Sequence, residues 1–340
     1  MKVRSLKSIN YTILLLIFVL IFSLTLPCSA ADKTYQWRIG TLVPDSTALG
    51  AGMYEFAKLV EERTNGQIKM DCFPVQQLGF WMDEFDNISK GSQEMGFIPP
   101  SPRYAQFSGV YVPFVITTWE DFNKAYGKDG FLFKYVDTGC EQLGIKLLAI
   151  VNVGFDGYSG MKGPIVYPED IKKLGIKGRV AYPASKIYFE KLGPIVSIDM
   201  GEVFTALQLG TVDCQVEQAV ETVYTQFRDV TKYFTDTNST PAICSVLINK
   251  KLWDNLPVEL QTIIQETADE VTAKATVISQ ENEEVYYQKF EEEGVIVTRL
   301  TPEQREAWVK LATEPGGSLD SSRKLIGDET VDFLIENVAK

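Results

Sequence analysis

The chain of 340 residues contains no histidine. That excludes Ser-His-Asp and Cys-His nucleophilic sites, histidine-ligated zinc or haem, and the imidazole pH switch. Basic residues are in deficit, with 33 Lys and Arg against 45 Asp and Glu and a net charge of −12. Setting aside the N-terminal cations Lys2, Arg4 and Lys7 takes that charge from −12 to −15, which argues against a nucleic-acid footprint. Cysteine is scarce. Beyond Cys28 there are only Cys72, Cys140, Cys214 and Cys244, spaced too widely for a CxxC or zinc pattern. They are expected to be buried free thiols, Cys72 as an inward strand residue in step with Ile68 and Met70. Gly and Pro number only 25 and 15, whereas hydrophobic residues make up 45%. This is globular composition, and the length favours two domains.

Residues 1–31 read as an export signal. Lys2, Arg4 and Lys7 form a basic start, Ile13 to Leu26 is an apolar run broken by Ser23 and Thr25, and the small residues Cys28-Ser29-Ala30-Ala31 follow. Cleavage is expected after Ala30 or Ala31. The run is short for a membrane span, and Pro27 before Cys28 disfavours a lipid-anchored start. The expected location is therefore extracytoplasmic, with an uncleaved anchor as the alternative, and disulfides are permitted there.

Strands and helices alternate along the rest of the chain. Tyr35 to Leu42 reads as a strand ending in the turn Val43-Pro44-Asp45-Ser46-Thr47. Met53, Phe56, Ala57 and Val60 recur on one face of a helix that stops at Asn65-Gly66. Gln67 to Phe73 is a strand, Asp83 to Lys90 a helix, Glu94 to Ile98 a strand. Helices follow at Trp119 to Tyr126 and Gly130 to Leu143, then a buried strand at Ile145 to Val151. A second unit begins near Gly154, with strands at Ile176 to Ala181 and Val212 to Val216 and helices at Ala184 to Leu192 and Glu202 to Leu209. The pattern implies α/β layers with largely parallel sheet. A helix-Gly-[Ser/Thr]-x-acid-strand unit occurs twice, at Gly91-Ser92-Gln93-Glu94 and Gly210-Thr211-Val212-Asp213, with Gly closing each helix. Two copies, one per unit, point to related lobes facing a cleft. Pro257 to Glu293 reads as one helix of about 37 residues, about 55 Å long, which exceeds one lobe; an internal break is the alternative.

With these elements in place, the residues resemble the extracytoplasmic solute receptors of tripartite ATP-independent periplasmic (TRAP) transporters, of the dicarboxylate-receptor type. The likeness rests on Ile39-Gly40-Thr41-Leu42-Val43-Pro44-Asp45-Ser46, on Phe56-Ala57 with Val60-Glu61-Glu62-Arg63-Thr64-Asn65-Gly66, and on Phe73-Pro74 with Gln77-Leu78-Gly79. It continues through Val112-Pro113-Phe114, Pro168-Glu169-Asp170, Lys177-Gly178-Arg179-Val180, Thr205-Ala206-Leu207-Gln208-Leu209-Gly210-Thr211-Val212-Asp213 and Leu247-Ile248-Asn249-Lys250-Lys251-Leu252-Trp253. The resemblance implies a two-lobe periplasmic-binding-protein clamshell with a long helix along both lobes. On that basis residues 32–153 plus 243–281 are expected to form one lobe and 154–242 plus 282–340 the other, with crossings near 153 and 242. It also implies a monomeric receptor without cofactor or metal that delivers a small organic acid to membrane permease subunits.

The family's signature arginine falls on Arg179, whose planar guanidinium matches a carboxylate or sulfonate through paired donors. The alternative is that Arg179 only ties its lobe to an acidic neighbour. Two positions depart from the family: Asp156 stands where many members carry a second arginine, and Glu217 near where many have asparagine. Fewer cations and more carboxylates argue against a highly anionic ligand and leave room for one acidic group with hydroxyl, amide or ammonium functions. Asp156 pairing with Arg179 is the other possibility. Trp81, Phe97, Tyr104, Phe155, Tyr158, Tyr182 and Tyr224 are candidate cleft aromatics, suited to a sugar-like or aromatic body, with core packing the alternative for about half of them. Pro99-Pro100-Ser101-Pro102-Arg103 reads as a stiff loop at the cleft floor, with Arg103 a second candidate anion contact. Glu291-Glu292-Glu293 reads as a solvated helix end, and Asn238-Ser239-Thr240 is assigned no role.

Two other classes compete. An exported enzyme would use Asp156 and Glu217 as acid and base, but an arginine between them holds both ionised and leaves no general acid. A signalling receptor domain would need an anchor that the sequence lacks.

Overall fold

A computed structural model describes residues 33–338; the expected leader and its cleavage point lie outside the described residues. The first sheet is built on β1 (Tyr35–Thr41), where buried Trp37 and Ile39 alternate with exposed Gln36 and Arg38, the period-2 signature of a strand with one covered face. β1 pairs in parallel with β2 (Ile68–Phe73) and with β3 (Met95–Ile98). Between them, α1 (Ala48–Arg63) buries Met53, Phe56, Ala57 and Val60 as the spacing predicts, and the Thr47 side chain caps it by accepting from Gly50 N–H. α2 (Trp81–Lys90) ends at Gly91, whose φ of 77° lets the chain turn directly into β3. α3 (Trp119–Tyr126) and α4 (Phe131–Gln142) lead into β4 (Ile145–Phe155).

β4 overruns the expected end at Val151 and is the main crossing between the lobes. Every residue from Leu147 to Phe155 is buried. Its antiparallel partner β10 (Pro241–Asn249) stays with it as far as the Phe155–Pro241 pair. The ladder then continues as Asp156 N–H donates to Thr240 O at 2.8 Å and Ser239 N–H to Asp156 O at 3.0 Å. The first sheet has the order β2-β1-β3-β10-β4.

The second sheet has six strands. β5 (Tyr158–Gly160) is followed by α5 (Pro168–Lys173), β6 (Gly178–Val180), α6 (Pro183–Phe189), β7 (Ile195–Ser197), α7 (Met200–Gln208), β8 (Cys214–Gln215), α8 (Val220–Phe227) and β9 (Tyr233–Thr235). Strands β6 and β8 are shorter than the expected 176–181 and 212–216, and α6 ends before Leu192. The chain bends away as soon as the pairing of Arg179 with Gln215 and Val196 is complete. As in the first sheet, a glycine with positive φ, Gly210 at 68°, follows α7 and admits the turn.

After β10 and the short α9 (Lys250–Asp254), α10 (Val258–Glu292) runs unbroken for 35 residues, about 52 Å. Its first half buries Leu260, Ile264, Ala268, Val271 and Ala275, and is tied to α1 by Arg63–Glu270 at 2.7 Å and Lys274–Glu55 at 2.8 Å. Its second half presents Tyr287 to Phe234 and Phe290 to Tyr224. β11 (Ile296–Thr298) then adds to β9, giving the order β11-β9-β5-β8-β6-β7. The chain continues through α11 (Pro302–Thr313), α12 (Ser318–Ser321), α13 (Arg323–Ile326) and α14 (Asp328–Val338). α14 reaches back to the first lobe, where Phe333 meets Phe131 at 4.5 Å.

A further tie runs the other way. Phe114, fully buried and held at φ 63°, leaves the first lobe to pack on Tyr188 at 5.0 Å and near Trp308 at 6.4 Å, in the core of the second. The four described cysteines are free; Cys140, Cys214 and Cys244 are buried. Cys72 is only half-buried, because β2 is an edge strand whose inner face is incompletely covered. Burial pushes its thiol up to about 11. No helix among the described residues is long and apolar enough to cross a membrane.

Candidate ligand-binding cleft

The cleft lies beyond the carboxyl ends of the parallel strands β1, β3, β6 and β8, the place where open α/β sheets leave a crevice. Leu42, Val43, Trp81, Pro99 and Tyr111 line it from the first lobe. Arg179, Ala181, Tyr182, Asp199, Met200, Gln218 and Thr222 line it from the second, and Val153, Asp156, Pro241, Ile243 and Cys244 from the crossing ribbon. The cavity left between them is small, about 60 Å³. Tyr111 and Tyr182 close it across the lobes as a stacked pair, centroids 3.9 Å apart and planes 15° from parallel. Tyr111 O–H is itself fixed by Pro100 O, in the proline-rich loop read as the cleft floor.

Arg179 sits in the middle of β6 and is 1% exposed. Its Nε donates to Ile198 O at 2.8 Å, and its Nη1 stands 3.5 Å from Glu217 Oε2. Nη1 is buried and has no hydrogen-bond acceptor among the described residues. Glu217 therefore balances the charge of Arg179 without completing its hydrogen bonds, which leaves donor capacity for an anion in the cleft.

Glu217 lies behind Arg179. Its carboxylate takes the backbone N–H groups of Ala181 and, at 3.3 Å, Tyr182, so it pins the turn from β6 into α6. Burial raises its pKa, opposed by Arg179, those two amides and the Ser185 hydroxyl. Asp156 stands at the crossing, 4% exposed, with Oδ1 accepting from Gln218 N–H at 2.8 Å. Burial and then the neighbouring Glu217 push its pKa well above the carboxylate range, against the opposing pull of Gln218 N–H and Arg179.

Of the residues expected at the site, the fold brings Arg179, Asp156, Tyr182 and Trp81 to the cavity wall, with Glu217 directly behind. The others lie elsewhere. Phe155 packs edge-on against Trp119 at 5.3 Å. Tyr158 belongs to the second core, its O–H donating to Lys162 O at 2.5 Å. Arg103 is an exposed residue paired with Asp83 at 2.6 Å and Asp86 at 3.2 Å. Tyr104 donates to Asp86 at 2.9 Å and packs on Phe85. Tyr224 donates to Glu293 at 2.6 Å beside α10, and Phe97 packs on Phe56 in the first core. Arg179 pairs with Glu217 rather than with Asp156. Tyr111 and Gln218 were not expected at the wall. The first directly precedes Val112-Pro113-Phe114, and the second directly follows Glu217 with a strained φ of 139°.

Two α/β lobes, crossed by a strand ribbon and a long helix and closing around a buried arginine, define a two-lobe solute receptor. The comparisons agree. The model of bacterial extracellular solute-binding protein family 7 matches residues 39–315, and the chain belongs to that family. It is a TRAP-type periplasmic solute-binding protein. It is 28% identical over 323 residues to the C4-dicarboxylate-binding periplasmic protein DctP of Rhodobacter capsulatus, covering 91% of this chain and 92% of that one. The sugar acid binding protein DctPAm of Advenella mimigardefordensis, solved with galactonate, superimposes with a TM-score of 0.81 at 25% identity, over 90% of this chain and 98% of that one. A TRAP solute-binding protein of Desulfovibrio salexigens with bound orotic acid gives a TM-score of 0.79 at 25% identity, over 90% and 99%.

Proposed function

We propose that this chain is the periplasmic receptor of a TRAP transporter, that it encloses a small organic acid between its lobes, and that it hands this acid to the membrane permease. Arg179, buried at the cavity wall with Ile198 O and Glu217 as its partners, is the observation that carries this reading. One carboxylate or sulfonate meets it; hydroxyl, amino or aromatic parts of the ligand lie against Trp81, Tyr111 and Tyr182. Support comes from the starts of α7 and α8, which reach the wall at Met200 and Thr222 and whose preceding residues Asp199 and Ala219 make no side-chain cap. Helix N-termini favour anions. The ligands of the relatives, C4-dicarboxylate, galactonate and orotic acid, are all organic acids.

In this reading residues 32–153 plus 243–281 and 154–242 plus 282–327 move as the two lobes, with α14, expected in the second, carried on the first, in a monomer freed of residues 1–31 by cleavage after Ala30 or Ala31. The role is binding rather than catalysis: Glu217, the second carboxylate a hydrolase would need, spends its oxygens on backbone amides and on Arg179. Native mass spectrometry of receptor purified without refolding tests the proposal. One small acid per chain is the expected result. Chemical turnover of that acid on incubation, or exclusive retention of a neutral or purely cationic molecule, would contradict it.

A further inference from the structure

The charges at the cavity wall do not balance for a simple acid. Among the described lining residues Arg179 is the one cation, and Glu217 already faces it at 3.5 Å. Asp156 adds a second buried carboxyl, and Asp199 stands at the exposed rim. Asp156 is held rigidly: Oδ1 accepts from Gln218 N–H, while its backbone is locked to Thr240 and Ser239. Its Oδ2 has no hydrogen-bond partner among the described residues, and the side chain faces the cavity. Burial keeps this second carboxyl protonated when no ligand is bound; a monocarboxylate seated on Arg179 leaves its Oδ2 unmatched, and a dicarboxylate adds an anion for which the wall has no further cation. A cationic group on the ligand satisfies that carboxyl. The remaining wall is aromatic as well, with Trp81 beside the mutually stacked Tyr111 and Tyr182, a surrounding in which ammonium groups are favoured.

We propose that the ligand is a zwitterion, an ammonium-bearing carboxylic acid whose carboxylate lies on Arg179 and whose ammonium lies on Asp156 Oδ2, and that Asp156 thereby selects against dicarboxylates. This rests on the reading of Arg179 as the carboxylate clamp. An uncharged hydroxyl at the same place would fill a hydrogen bond without supplying the missing positive charge. An ammonium lets Asp156 ionise against a partner charge, whereas a second carboxylate on the ligand finds no cation, and that difference sets the discrimination.

The test uses matched probes that differ in one group: phenylalanine with 3-phenyllactate, leucine with 2-hydroxy-4-methylpentanoate, and 4-aminobutanoate with succinate. Each is screened by thermal shift and then by calorimetry on the wild type, Asp156→Asn and Arg179→Ala. At least one amino member should bind tenfold or more tightly than its counterpart. Asp156→Asn, which keeps the oxygen that receives Gln218 N–H, should erase that preference with its melting temperature held. Three outcomes overturn the proposal: hydroxy or dicarboxylic members bind as tightly as amino members, no amino member binds, or Asp156→Asn leaves the preference intact. Should the wild type prefer a hydroxy acid or succinate and Arg179→Ala abolish that binding, only this inference fails. Should acid binding survive Arg179→Ala, the clamp reading fails too.

Discussion

Glu84 offers a sharp test of the electrostatics of the first lobe. It lies on α2 beneath Gly40, fully buried, with Oε2 accepting from Gln93 Nε2 at 3.0 Å and Oε1 unpartnered. A Cβ at Gly40 would come within 1.9 Å of Oε2, so the close approach of this carboxyl explains the glycine in Ile39-Gly40-Thr41. Burial pushes the Glu84 pKa from 4.5 up to about 7, only partly offset by Gln93. The fold therefore binds a proton more tightly than the unfolded chain, and stability falls as pH rises between 4.5 and 7. With 1.36 kcal/mol per unit, the penalty reaches about 3 kcal/mol above pH 7, of which about 2.5 kcal/mol develops between pH 5 and 8. Glu84→Gln keeps the shape and cannot ionise. Urea unfolding of both proteins at pH 5 and pH 8 should show the variant gaining about 2.5 kcal/mol on the wild type across that interval. A stability difference that does not change with pH would refute the reasoning.

Phe114→Ala should destabilise by about 3–5 kcal/mol, because the ring fills the second core against Tyr188 from a segment of the first lobe; chemical unfolding that moves by less than 1 kcal/mol would deny that tie. Glu221, on α8, accepts from Ala48 N–H at 3.3 Å and from Tyr286 O–H at 3.2 Å, so it caps the start of α1 from the opposite lobe. Glu221→Gln should weaken the closed state by about 1 kcal/mol, roughly fivefold in affinity, and calorimetry giving an unchanged Kd would show that the contact does not contribute to closure. Ligand should also lower the radius of gyration in solution scattering if closure encloses it, and an identical profile at saturation would count against hinge closure.

Periodicity carried much of the fold. The stripe Met53, Phe56, Ala57 and Val60 marks α1, and Trp119 to Tyr126 is read to the residue. Local patterns did not reveal where β4 ends. Asn152 and Gly154 look like turn residues, but Asn152 Oδ1 accepts Gly154 N–H at 3.1 Å, and Gly154 at φ 119° carries the strand onward beside Ala219. Asn238-Ser239-Thr240 had no apparent role because its partner, Asp156, lies about eighty residues away, where its backbone completes the crossing ladder. At the site, charge was more legible than aromaticity. Arg179 and Asp156 stood out through the resemblance, the first matching the family's arginine and the second standing where many members carry another. A ring, by contrast, serves a core or a cleft equally well: Phe155 and Tyr158 flank Asp156 in sequence yet pack away from the cavity, against Trp119 and within the second core. Arg103 misled for a related reason, since its acidic partners Asp83 and Asp86 sit one turn apart on α2.

The central claim is that Arg179 clamps the acidic group of the ligand inside the closed cleft, and calorimetry with the retained acid tests it most directly. Truncation also strands Glu217, so Arg179→Ala is paired with Arg179→Ala/Glu217→Gln, which leaves no buried charge unpaired at that position. Both should lose about 3–5 kcal/mol of binding, roughly two to three and a half orders of magnitude in Kd, and Arg179→Lys should recover only part of it. Wild-type affinity in the double variant, with the fold intact by circular dichroism, would contradict the account.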